Sequence, residues 1–249
     1  MSALAVEAVS RNFAGVAALS NVSLAIEPGE RRLIIGPNGA GKTTLFNILS
    51  GALNATSGNV KLFDRDVTSL APHQRAKMGL ARTFQITNVF PRLTVLENVL
   101  LALQAADGSP FCMHRRMRDN ERLFAQAHAF LERWNVSAIA ARPAKAISYG
   151  EQRLLDLILA MAMQPKVLLL DEPTAGLSAA EVVRVVEMVR NLPKEITIAM
   201  IEHDMDVAFD LADRITVLHQ GCAIAEGDVD AIRNDAQVAE IYLGADEAR

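Results

Sequence analysis

The residues Gly36-Pro37-Asn38-Gly39-Ala40-Gly41-Lys42-Thr43 constrain this chain more than any other segment, because they satisfy the pattern G-x-x-x-x-G-K-[ST]. Arg31 to Ile35 before them reads as a strand. The following TTLFNILSG carries Leu45, Ile48 and Leu49 at helical spacing and ends at Gly51. A glycine-rich loop in that setting is built to hold phosphate: successive backbone N–H groups converge on an anion where glycine frees the backbone, and the helix N-terminus adds positive potential. Lys42 is expected to reach the β- and γ-phosphates of a nucleotide, Thr43 to place its hydroxyl on Mg²⁺, and Thr44 to donate to an α-phosphate oxygen.

A second segment completes the chemistry. Val167-Leu168-Leu169-Leu170 is a buried-strand run that ends in Asp171-Glu172, and the carboxyl ends of strands are where open α/β sheets bind ligands. Asp171 suits a hydrated Mg²⁺, and Glu172 suits the polarisation of an attacking water as general base. Together the two segments define a nucleoside-triphosphatase of the phosphate-loop type.

The rest of the chain reads as an α/β fold with a mainly parallel core sheet. Leu4 to Val9, Val22 to Ile26 and Asn59 to Phe63 are further strands near the amino terminus, with Pro28-Gly29 as a turn, and Pro72 opens a short helix. Thr94 with Glu97 forms a capping box before VLENVLLALQAA, and helical texture continues through most of the stretch to Met163. Strand and helix then alternate: Ala179 to Arg190 helix, Ile196 to Ile201 strand, Asp204 to Leu211 helix, Arg214 to Leu218 strand. This pattern predicts one domain over residues 1–249, with a helical part, approximately 86–165, inserted into the core.

Composition narrows the partners. A net charge of −4 and 5% aromatic residues argue against a nucleic-acid partner. The charge is local: residues 225–249 hold seven acids against two bases, read as a solvated helical face. The basic stretch from His114 to Arg122 has the same reading, in preference to a contact with anionic lipid. The longest apolar run, Leu157 to Met163, has seven residues where a membrane span needs about 20. The amino terminus shows no secretory signal, and Cys112 and Cys222 suit a reducing cytosol rather than a disulfide framework.

Ser148-Tyr149-Gly150-Glu151-Gln152, just before a predicted helix, gives these motifs a family. In this context ISYGEQ resembles the LSGGQ signature of ATP-binding-cassette (ABC) proteins, with Tyr149 in place of the first glycine and Glu151 near the usual glutamine. The resemblance implies that Ser148 and Gly150 contact the γ-phosphate of an ATP held by a partner subunit. Gln85 in ARTFQ corresponds to the glutamine that senses Mg²⁺ and attacking water. His203 in MIEHDM corresponds to the switch histidine, and Ser178 in Ala175-Gly176-Leu177-Ser178 to a dimer-contact loop that here lacks the common aspartate. Phe13 stands where an aromatic would stack on adenine, with a place in the core as the alternative. The family's fold adds an amino-terminal antiparallel β subdomain to the parallel core and the inserted helical subdomain.

More narrowly, IIGPNGAGKTTLFNILSG, GLARTFQ, LTVLENVLLA, IEHDM and the ending IAEGDVDAIRNDAQVAEIYLG resemble the ATP-binding subunits of branched-chain amino acid uptake systems. Urea and amide transporters share much of this. The implied protein uses ATP and Mg²⁺, pairs with a second nucleotide-binding subunit, a different one being favoured, and drives two membrane permeases supplied by a solute-binding protein. It works at the cytoplasmic face of the membrane. Soluble ABC ATPases of DNA maintenance or the ribosome are the distant alternative, and they typically carry coiled-coil insertions or tandem cassettes.

Overall fold

The computed structural model describes residues 1–83, 89–107 and 121–246, with side chains to 241. Gln85 and most of the basic stretch from His114 to Arg122 lie outside the described residues, as does Cys112.

Two sheets share the work. β1 (Leu4–Phe13), β2 (Val16–Ile26), β4 (Ser57–Leu62) and β5 (Arg65–Asp66) form an antiparallel sheet in the order β2-β1-β4-β5. β3 (Arg31–Ile35), β6 (Leu80–Arg82), β7 (Val167–Asp171), β8 (Thr197–Ile201), β9 (Arg214–His219) and β10 (Cys222–Gly227) form the second, in the order β10-β9-β3-β8-β7-β6. Within it every neighbouring pair except β9–β10 is parallel.

Helices sit on both faces of the parallel sheet, so its strands are apolar on both sides. Alternate residues enter different cores. Leu33, Ile35, Leu168, Leu170, Ile198 and Met200 join one cluster with residues of α3 (Val95–Ala106), α4 (Glu121–Arg133), α5 (Tyr149–Ala162) and α6 (Ala179–Arg190). Ile34, Val167, Leu169, Ala199 and Ile201 join the other, with α1 (Lys42–Ser50) and the antiparallel sheet. Helices α3, α4 and α5 lie between β6 and β7 in the chain, the inserted arrangement that the sequence predicts.

Several elements run further than their sequence pattern. β1 and β2 extend beyond Val9 and begin before Val22, because a tight turn at Ala14-Gly15, both at positive φ (44° and 93°), joins them as a hairpin. Register shifts after Val6 and Val9 break the alternation that marks a strand. β10 occupies the start of the acidic carboxyl-terminal region, paired to β9 through a turn at Gln220-Gly221 with φ of 47° and 80°. Its Glu226 pairs with the buried Arg32 of β3 at 3.0 Å, so this acid is structural rather than merely solvated. The remainder forms α8 (Val229–Arg233) and α9 (Ala236–Asp246).

Arg75, in α2 (Pro72–Lys77), is 1% exposed and closes the far end of α1. Its guanidinium donates to the carbonyls of Ile48 at 2.6 Å and Leu49 at 2.8 Å, and to Leu70 and Thr68 at 3.0 and 3.1 Å. The first two are among the last carbonyls of α1, of which Ile48 O also accepts from the Gly51 N–H at 3.1 Å.

Candidate nucleotide site

The loop between β3 and α1 forms the wall of a cleft of about 200 Å³ lined by Ala18, Asn38 to Thr44, Glu172 and His203. Two of its glycines are sterically required. A side chain on Gly36, at φ 151°, would run into the Leu218 carbonyl of β9. One on Gly41, at φ 102°, would come within 2.6 Å of the Ala18 carbonyl. Lys42 is buried and donates Nζ–H bonds to the carbonyls of Gly36 at 2.6 Å and Pro37 at 3.1 Å. Burial lowers its pKa, while the charges of Glu172 and Asp171 pull the other way. The ammonium is therefore held among acceptors at the mouth of the loop, with Thr43 exposed beside it.

Opposite the loop, the carboxyl ends of β7 and β8 bring Glu172 and His203 together. Glu172 Oε1 and His203 Nε2 are 2.7 Å apart, hydrogen-bonding distance, with the carboxylate accepting when Nε2 bears the hydrogen. The Glu172 side chain is 14% exposed and that of His203 48%, so the pair is open to a reactant on the histidine side. Glu172 has φ 49°, a left-handed backbone uncommon for a residue with a long side chain. Its N–H donates to Ile201 O at 3.0 Å, which fixes the turn against β8.

Asp171 points to a different partner. Its Oδ2 accepts from Arg82 Nη2 at 2.7 Å, with both side chains almost fully buried. Arg82 Nη1 donates to Asn47 Oδ1 at 2.7 Å and Ser50 Oγ at 2.9 Å, so one guanidinium joins β6, β7 and α1. Arg82 stands in ARTFQ, where no neighbour along the chain marks this task.

Glu202 is likewise unmarked by a motif. It is 3% exposed and accepts from the Thr174 N–H at 3.2 Å, the Thr174 hydroxyl and the His203 N–H at 3.0 Å. It thus ties the loop after Glu172 to the backbone of His203. The signal lay in an acid placed at the end of the apolar run TIAMI.

Other expected residues stand apart from the cleft. Ser148 caps α5, accepting from the Glu151 N–H at 3.1 Å, and Gly150 lies buried in its first turn. Tyr149 is 47% exposed, and its hydroxyl accepts from Arg153 Nε at 3.1 Å. Phe13, at the end of β1, is 44% exposed with the Arg11 guanidinium 4.6 Å from its ring centre; it does not line the cleft. A place in the core is therefore excluded for Phe13. Among the described residues there is no group of three His, Cys, Asp or Glu side chains suited to a metal, and no helix long and apolar enough to cross a membrane.

A phosphate loop, an acid pair closing β7 and a histidine after β8, on a parallel sheet with inserted helices, define an ATP-binding cassette. The ABC transporter family model matches residues 19–175, and that of the branched-chain amino acid ATP-binding cassette transporter matches 224–248. The chain belongs to the ABC transporter family. It is 39% identical to the high-affinity branched-chain amino acid transport ATP-binding protein LivG of Escherichia coli, over 97% of each chain. The crystal structure of the ADP conformation of MJ1267, a cassette of an ABC transporter, matches with a TM-score of 0.84 at 31% identity, over 98% of this chain and 99% of that one. A dimeric post-hydrolysis state of the cassette MJ0796, bound to ADP and Pi, matches with a TM-score of 0.77 at 26% identity, over 91% and 98%.

Proposed function

We propose that this chain is the ATP-hydrolysing subunit of an ABC importer for branched-chain or related amino acids, working on the cytoplasmic face of the membrane. The observation that carries the catalytic part is the Glu172–His203 pair, 2.7 Å apart across the cleft from Lys42 and Thr43. The solute class is supported by the similarity to LivG and by the carboxyl-terminal family match.

In this reading Gly36 to Thr44 cradle the phosphates, Lys42 leaves its loop carbonyls for the β- and γ-phosphates, and Phe13 stacks on adenine. The donor chemistry also suits Mg²⁺: Thr43 offers an exposed hydroxyl, and Asp171, already paired with Arg82, suits contact through water. Gln85 is the remaining candidate ligand and water sensor. Bound Mg²⁺ supplies charge neutralisation at the β- and γ-phosphates. Glu172 accepts the proton of the attacking water, and His203 donates toward the γ-phosphate. Ser148 and Gly150 serve the ATP of a facing subunit, so hydrolysis needs two cassettes. Two permeases and a solute-binding protein complete the machine, with a different second ATPase favoured.

Replacing Glu172 with Gln tests the assignment. Turnover is expected to fall at least about a hundredfold, the scale of a lost general base, while ATP binding persists and a closed dimer accumulates. Hydrolysis at the parent rate would overturn Glu172 as the base.

A further inference from the structure

Glu181 has no part in the reading above, yet its carboxylate rests on the groups assigned to a facing subunit's ATP. One of its oxygens serves its own helix: Oε2 accepts from the Ser178 N–H at 3.0 Å and the Ser178 hydroxyl at 2.7 Å, closing the capping box of α6. Oε1 is turned toward the start of α5. Ser148 Oγ stands 3.5 Å from it, and the same oxygen lies against the Gly150 backbone, where a Cβ would stand. A Cβ on Gly150 would run into Oε1, with Cδ and Cγ of Glu181 close behind.

We infer that Glu181 is a positioning residue of the two-subunit ATP site: its carboxylate occupies the place beside the Ser148 hydroxyl and the Gly150 backbone until the γ-phosphate carried by the facing subunit replaces it. The inference rests on Ser148 and Gly150 being γ-phosphate donors. Its physical basis is exclusion. The carboxylate and the γ-phosphate are both anions, and they compete for the same place in a space too small for both, where like charges repel. Closure of two subunits must turn Glu181 away, and its partial exposure gives it a route to water. Because Glu181 also caps α6 beside Ala175-Gly176-Leu177-Ser178, that turn loosens the end of the same loop. One carboxylate thus links the signature to the dimer-contact loop within a single chain.

The test compares the Glu172→Gln chain with the Glu172→Gln, Glu181→Gln chain. Glutamine keeps a capping-box partner for Ser178 and removes the charge. The ATP concentration giving half-maximal association, read by sedimentation velocity, is expected to fall about fivefold, the value of one net hydrogen bond. The thermal midpoint without nucleotide is expected to stay within about 2 °C, because the cap survives. Glu181→Asp, which withdraws the carboxylate by one methylene, shifts association in the same direction and covers the case of a misfolded glutamine variant. An unchanged or higher ATP requirement in both variants, beside a parent that associates normally, overturns this inference alone. A parent that associates with ATP neither with itself nor with a second, different cassette overturns the two-subunit reading and this inference with it.

Discussion

Glu202 shows how a single buried acid is felt across the site. Burial raises its carboxyl pKa, against the hydrogen bonds from Thr174 and the His203 N–H, and the charge of Glu172 adds to the rise. The folded state therefore keeps a proton that the unfolded chain releases, so the Glu202 contribution to stability is greatest in acid and is lost as pH rises from about 4.3, the ordinary glutamate value, through the raised one. Thermal midpoints of the parent and Glu202→Gln, measured against pH, are expected to diverge in that sense: the difference moves against the parent as pH rises, and a pH-independent difference would reject the assignment. Arg82 acts through geometry instead. Removing it leaves Asp171 buried without its cation, and Arg82→Ala is expected to cost about 3 to 5 kcal/mol in denaturant unfolding. Lys42, Asp171, Glu172 and His203 were legible in the sequence because their neighbours along the chain mark them. Arg82 and Glu181 were not, since Asp171 is 89 residues from Arg82 and Ser148 is 33 from Glu181.

Local chemistry made some elements easy to read and hid others. The Thr94 box appears as expected: its N–H donates to Glu97 Oε2 at 2.8 Å, and its hydroxyl accepts from the Glu97 N–H at 3.1 Å. Thr94→Ala is expected to cost about 1 kcal/mol, a fall of about 2 to 4 °C in the thermal midpoint for a chain of this size, measurable by circular dichroism. Boundaries of α3 and α6 coincide with the sequence reading because caps and apolar periodicity agree at both. β10 escaped it: Cys222 to Gly227 is short, with every residue exposed or half-exposed, and its turn is Gln-Gly rather than the more telling Asn-Gly. The ends of β1 and β2 escaped it too, since bulges and exposed residues erase the period of two that reveals a strand.

At the scale of the whole molecule, the placement of Ser148 and Gly150 away from the cleft has a kinetic expression under the proposed two-subunit site. Turnover per chain, measured on the protein with its second cassette, is expected to rise with protein concentration until association saturates; a specific activity of the isolated chain that matches the pair and stays constant over a hundredfold dilution would speak for a self-sufficient single chain. The fold also separates what turns over from what does not. α1 presents its first residues to the cleft, whereas its last carbonyls are occupied by Arg75, a residue of the chain itself. Under the proposed function ATP arrives and phosphate departs at one end of the helix, away from the anchorage at the other. The helix is a fixed post for a transient guest, and each working cycle starts from the same footing.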